Sequence, residues 1–240
     1  MHIDILSLFP SYFEGPFQVS MLKRAIEKGL LHINQVDIRE FSTDKHKKVD
    51  DRPFGGGPGM VMMPQPTIDA IHSVKRENSH VIYLSPQGER LTSGKCQQLA
   101  KKEHLVLLSG HYEGVDQRVI DSEIDEEISI GDYVLTNGCV ATVVLIDAIS
   151  RFIDGTLGHP EGAYQDSFAD IIFEGPQYTR PEIFNGLKVP SVLLNGNHKQ
   201  IDQWKLKMGL QKTRKVRPDL YDKYKLKQML HTRQVKETIK

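Results

Sequence analysis

The chain has 240 residues, 39% of them hydrophobic and 26% charged. That is enough for one sizeable core, or for a medium domain with a smaller one beside it, and too apolar for a disordered chain. No apolar run approaches the length of a membrane span, because the stretch at 143–146 is broken by Asp147. Met1-His2-Ile3-Asp4-Ile5 lacks the basic-then-apolar order of a secretory leader, and the two cysteines, Cys96 and Cys139, make no CxxC pair. The expectation is a cytoplasmic globular protein with no membrane contact and no disulfide or zinc scaffold. The formal charge of zero hides a segregation: residues 1–170 carry 16 Lys and Arg against 25 Asp and Glu, whereas residues 171–240 carry 15 against 6. A basic segment on an acidic body predicts an anionic partner, nucleic acid first; a solvated helical face, or a tail docked on its own acidic body, explains the charge equally well.

In chain order, residues 3–9 read as a strand. Residues 17–28 carry Val19, Leu22, Ala25 and Ile26 at helical spacing, with Gly29 as a stop. Residues 36–41 predict a second strand, 67–74 a helix and 80–84 a strand. Residues 105–108 form a continuous apolar run of the kind buried in parallel sheets. Residues 127–130 predict another strand and 139–152 a strongly apolar helix. The alternation points to an α/β domain over residues 1–154. Residues 155–170 read as a linker, with Gly155, Gly158, Pro160 and Gly162. Residues 171–240 read as a helical, basic domain. Asn197 is placed to cap a helix with Ile201, Trp204 and Met208 on one face. Pro218 suits the first turn of another, with Leu220, Tyr224 and Leu230 turned inward.

Three polar, glycine-bearing loops follow predicted strands: Ser85-Pro86-Gln87-Gly88, Ser109-Gly110-His111-Tyr112-Glu113-Gly114, and Ile130-Gly131-Asp132-Tyr133 running on to Thr136-Asn137-Gly138. Ligands of open α/β sheets bind beyond the carboxyl ends of strands, and glycine there lets backbone groups approach them. Three such loops predict a small-molecule pocket. Neither G-x-G-x-x-G after the first strand nor G-x-x-x-x-G-K-[ST] is present, so it is not a standard nucleotide site. Gly55-Gly56-Gly57-Pro58-Gly59 is followed by Met60 and Val61 rather than by lysine and a hydroxyl, and reads as a flexible or substrate-gripping loop. The ten histidines show no metal-ligand spacing, and no G-x-S-x-G occurs. Asp166, in the linker, reads locally as a helix cap, Asp166-Ser167-Phe168.

Together with Tyr83-Leu84 before the first loop, Glu126–Leu135, Tyr178-Thr179-Arg180-Pro181 and Leu193-Leu194-Asn195-Gly196-Asn197-His198, these motifs resemble the bacterial tRNA (guanine-N1)-methyltransferases. The resemblance runs from Ile5 to about Leu220, with the motifs in the family's order. It implies a SPOUT-class α/β fold with a deep trefoil knot, which periodicity would not have suggested. It further implies a homodimer with composite active sites, tRNA as partner, and methylation of the guanosine immediately 3′ of the anticodon. Carried over by motif, the S-adenosylmethionine pocket is Tyr83, Leu84, Ser85, Pro86, Gln87, Gly110, Tyr112, Glu113, Ile130, Gly131, Asp132, Tyr133, Val134, Leu135 and Gly138. Asp166 takes the general-base position and Arg151 its partner position. The family is associated with Mg²⁺ near the substrate, and the sequence shows no dedicated metal site. The chain departs from the pattern at His111 (usually arginine), Asn137 (usually glycine) and Cys139 (usually glutamate). A catalytically silent tRNA-binding relative would need neither Asp166 nor Arg151.

Overall fold

The computed structural model describes residues 1–159 and 162–238, with the backbone alone at 165 and 232–238. The chain divides into two compact units, Met1–Pro160 and Glu161–Lys240.

The first unit runs β1 (His2–Ser7), α1 (Ser20–Glu27), β2 (His32–Asp37), the short pair β3 (Asp50–Asp51) and β4 (Val61–Met62), α2 (Pro64–Val74), β5 (Ser79–Arg90), α3 (Ser93–Leu99), β6 (His104–Ser109), α4 (Gln117–Glu123), β7 (Glu126–Ser129) and α5 (Cys139–Ser150). Five strands form one parallel sheet in the order β2-β1-β6-β5-β7. β6 is central and buried at every residue, as its unbroken apolar run requires of a strand covered on both faces. Alternation along the strands divides the core. Ile3, Ile5, Ile82, Leu105, Leu107 and Ile128 face α1, α3 and α5. Leu6, Val81, Tyr83, Val106 and Leu108 face α2 and α4.

At the amino ends of the strands a hydrogen-bonded row crosses four neighbours in sheet order. Asn34 Nδ2 on β2 donates to Asp4 Oδ1 on β1 at 2.7 Å, Asp4 Oδ2 lies 2.6 Å from His104 Nε2 on β6, and His104 Nδ1 lies 2.7 Å from Ser79 Oγ on β5. His104 and Asp4 are buried, so this row fixes register where a slip would strand polar groups in the core.

The structure revises several elements. The expected strand at 36–41 lies earlier, at His32–Asp37. Asp37 accepts a hydrogen bond from Arg39 N at 2.8 Å and opens a 3-10 turn at Ile38–Phe41. α3 and α4 gave no periodic signal because each spans seven residues. Thr92 and Asp116 cap them, accepting from Lys95 N and Arg118 N.

The second unit holds α6 (Gly162–Gln165), the hairpin β8 (Ile183–Phe184) and β9 (Leu187–Lys188), α7 (His198–Val216) and α8 (Pro218–Thr238). Residues expected to be a plain linker therefore include a short helix. Asn197 caps α7 by accepting from Gln200 N at 3.2 Å. Gly175 and Gly209 let the 173–175 segment lie directly on α7; a Cβ on Gly209 would sit 2.2 Å from the Phe173 carbonyl oxygen. Leu230, expected to point inward, is exposed, as are Leu226 and Met229.

Replacing His104 with leucine removes a partner from both Asp4 and Ser79. We expect a loss of about 1–3 kcal/mol in urea unfolding, against a change within about 0.5 kcal/mol for Val19→Ala on the surface.

Candidate active site

The three loops converge at the carboxyl ends of β5, β6 and β7. On β5, Leu84 pairs with Ile128, residues 85–88 then leave the ladder, and Glu89 pairs with Ile128 again. Ser85 Oγ accepts from Gln87 N at 3.1 Å within this excursion. A Cβ on Gly88 would lie 2.4 Å from the Glu127–Ile128 peptide, so the return to the ladder requires glycine. In the loop after β6, Tyr112 has φ +58° and Gly114 φ +128°, both in the left-handed region. Gly110 lies against the buried Tyr83 ring, whose hydroxyl is pushed up to about 12 by burial and by the Glu127 charge. In the third loop, Ser129 Oγ donates to Gly131 O at 3.0 Å.

The second and third loops meet backbone to backbone. Gly138 N donates to Gly110 O at 2.7 Å, and a Cβ on Gly138 would sit 2.7 Å from Gly110 N. From this point α5 departs: Asn137 Oδ1 accepts from Cys139 N at 2.9 Å, and Thr142 Oγ1, 2.7 Å from Ser109 Oγ, donates to Gly138 O at 3.0 Å.

Together the loops enclose a cavity lined by Tyr83, Leu84, Ser85, Pro86, Gly110, His111, Tyr112, Glu113, Gly114, Ile128, Ser129, Ile130, Gly131, Tyr133, Val134, Leu135, Thr136, Asn137, Gly138 and Ala141. Its walls are backbone amides, aliphatic side chains and aromatic rings, and among the described residues that line it there is one carboxylate, Glu113, and no lysine or arginine. Such a lining offers no cationic side chain to a phosphate. It suits a ligand with a flat heteroaromatic part, hydrogen-bonding edges and positive rather than negative charge.

The sequence has close relatives. The family model described as tRNA (guanine-1)-methyltransferase TrmD matches residues 1–223. The tRNA (guanine-N(1)-)-methyltransferase of Protochlamydia amoebophila is 62% identical over 220 residues, 92% of this chain and 99% of that one. Those of Chlamydia pneumoniae and Chlamydia trachomatis serovar D are 56% and 55% identical, over 99% and 93% of this chain. These two are longer proteins, of which the chain spans 66% and 63%. The chain belongs to the tRNA (guanine-1)-methyltransferase family.

Of the donor-pocket residues carried over from that family's motifs, Gln87 and Asp132 are exposed and do not line the cavity; the others do. Arg151 stands at the end of α5, on the surface of the first unit. Asp166 follows α6 in the second unit, half-buried beside a separate cavity with Asp170, Glu174, Asp202 and Lys205 on its walls. Among the described residues no helix begins at Asp166. A turn forms instead, with Ala169 N donating to Asp166 O at 3.1 Å. The local reading of Asp166 as a helix cap is thus corrected.

His111, Gly114, Thr136 and Asn137 lie in the loops expected to form the pocket and line it, although the donor set carried over from the family omits them, as it omits Ile128, Ser129 and Ala141. His111 and Asn137 depart from the family pattern; Ser129 closes β7, one residue short of the expected strand end at Ile130. Gly138→Ala should abolish ligand binding in this cavity and lower the melting temperature, because neither neighbouring backbone can retreat from a Cβ. Gly158→Ala, with nothing within 4 Å, should change neither in the same calorimetric titration and melting experiments.

Proposed function

We propose that this chain transfers a methyl group from S-adenosylmethionine to N1 of the guanosine immediately 3′ of the anticodon in tRNA. The observation that carries the reading is the cavity at the carboxyl ends of β5, β6 and β7, in a chain whose relatives are tRNA (guanine-N(1)-)-methyltransferases. Bound S-adenosylmethionine supplies an electrophilic methyl carbon on a positively charged sulfonium. The backbone groups at Leu84, Gly110 and 130–135 would hold it, the aliphatic walls would exclude water, and the Glu113 carboxylate would suit its cationic end.

The acceptor chemistry falls to other residues. Guanine N1 carries a proton at neutral pH and attacks poorly while it holds it. Asp166 accepts that proton, and the Arg151 guanidinium offsets the negative charge that develops on O6. Asp166 belongs to the second unit and Arg151 to the first. A site composed across a homodimer agrees with α5, which leaves Val140 and Val144, one helical turn apart, exposed on a face that Asp147 continues. Within this reading the first unit takes the knotted SPOUT form and the protein works on cytoplasmic tRNA. Any Mg²⁺ comes with the substrate; among the described residues no three or more His, Cys, Asp or Glu side chains are grouped to hold a metal ion.

Asp166→Asn should lower the single-turnover rate by roughly 10²-fold or more while leaving donor binding and melting temperature unchanged. Near-normal turnover in that variant would move the proton to another acceptor. Digesting the product tRNA and identifying 1-methylguanosine at the expected position tests the substrate itself.

The basic second unit supports tRNA binding through phosphates. Lys205, Lys207, Lys212, Arg214 and Lys215 lie on α7, with Arg217 just beyond it. Arg217 is engaged with Asp219 at 2.9 and 2.7 Å, and Arg214 lies over the Tyr221 ring at 5.8 Å. Replacing Lys207 and Lys212 with alanine should weaken tRNA binding and flatten its dependence on salt, with S-adenosylmethionine affinity unaltered. An unchanged salt slope, read by filter binding, would remove α7 from the interface.

A further inference from the structure

Beside the Gly110–Gly138 backbone contact lies a buried side-chain cluster that the methyl-transfer reading does not use. Ser7 Oγ, at the end of β1, is 3.3 Å from His111 Nε2 and 3.4 Å from Cys139 Sγ, and Sγ is 3.8 Å from Nε2. Ser7 and Cys139 are inaccessible to solvent and His111 is 4% exposed. The Phe9 ring meets the imidazole edge-on at 5.2 Å, and Arg39 lies over Phe9 at 5.8 Å.

We propose that His111 is a positioning residue of the donor cavity, tying the loop after β6 to the end of β1 and to the first turn of α5 through Ser7 and Cys139. The inference rests on the reading of the cavity as the S-adenosylmethionine site. His111 follows Gly110 and Cys139 follows Gly138, so the cluster joins, through side chains, the two loops that also meet through backbone. His111 itself lines the cavity.

One arrangement of protons satisfies the three contacts among Ser7, His111 and Cys139. Ser7 Oγ accepts from Phe9 N at 3.0 Å. In that arrangement the Ser7 hydroxyl donates to Nε2 of a neutral imidazole and accepts from the Cys139 thiol. Burial and the nearby Arg39 charge push His111 down to about 4, and burial pushes the Cys139 thiol up, so both stay neutral near pH 7. A thiol held protonated is not a nucleophile. The cluster therefore holds the loops rather than reacting.

The test is calorimetric titration of S-adenosylmethionine into the full chain, with steady-state kinetics on tRNA beside it. His111→Leu retains bulk and removes the hydrogen bond; we expect donor affinity to fall about tenfold, with KM for tRNA unchanged. His111→Gln, whose amide reaches the Nε2 position, should recover most of that loss. Cys139→Ala should weaken the donor in the same sense, and the double variant His111→Leu with Cys139→Ala should be little worse than either single. Wild-type donor affinity in folded His111→Leu would overturn the proposal, as would equal defects in His111→Leu and His111→Gln. Should His111→Leu fail to fold, Cys139→Ala decides alone, and unchanged donor affinity there counts against the proposal. Absence of donor binding by the wild-type chain would instead refute the reading of the cavity on which the proposal rests.

Discussion

The amide of Gly138 donates to the carbonyl of Gly110 at 2.7 Å, and at that separation a Cβ on Gly138 would overlap the Gly110 backbone. This close approach joins the loop after β6 to the loop that leads into α5. It sets where α5 begins, because the Gly138 carbonyl is already engaged by Thr142 and Cys139 N by the Asn137 side chain. Ser85 and Pro86, from the excursion of β5, line the same cavity as these two glycines. Glycine at these positions carries no side chain of its own to the ligand; its role is to let other backbone groups come within reach.

Behind the loops the sheet supplies rigidity. β6 is buried along its whole length and lies at the centre of the order β2-β1-β6-β5-β7. The Asn34–Asp4–His104–Ser79 row pins the opposite ends of four strands. One end of the sheet is thus locked by side chains and the other is free to carry loops, the usual division of labour in open α/β sheets. The proposed acceptor chemistry rests on other residues: Arg151 at the end of α5 and Asp166 in a turn beside several carboxylates.

Much of this was legible in the sequence where burial is two-sided or the turn chemistry is strict. The run at 105–108 announced a central parallel strand, the apolar stretch from Cys139 announced α5, and the glycine loops announced the cavity. Less was legible where the signal depends on partners distant in sequence. β2 sits at the sheet edge with a weakly buried pattern, so the apolar 3-10 turn after it drew the strand assignment forward. The row through Asp4 and His104 joins residues 100 positions apart and leaves no local trace. Gln87 and Asp132 lie within correct motifs yet face solvent, since a motif fixes the loop and not the direction of each side chain in it. His111 and Cys139 looked like two separate departures, and in space they are one contact.

The most direct test of the central claim, that the cavity of the first unit receives the methyl donor, is amide hydrogen exchange with and without S-adenosylmethionine. Bound donor should slow exchange at residues 84–88, 110–114 and 130–138, with α7 and α8 unchanged. Protection confined to any other segment, with those three loops exchanging as in the free protein, would contradict it.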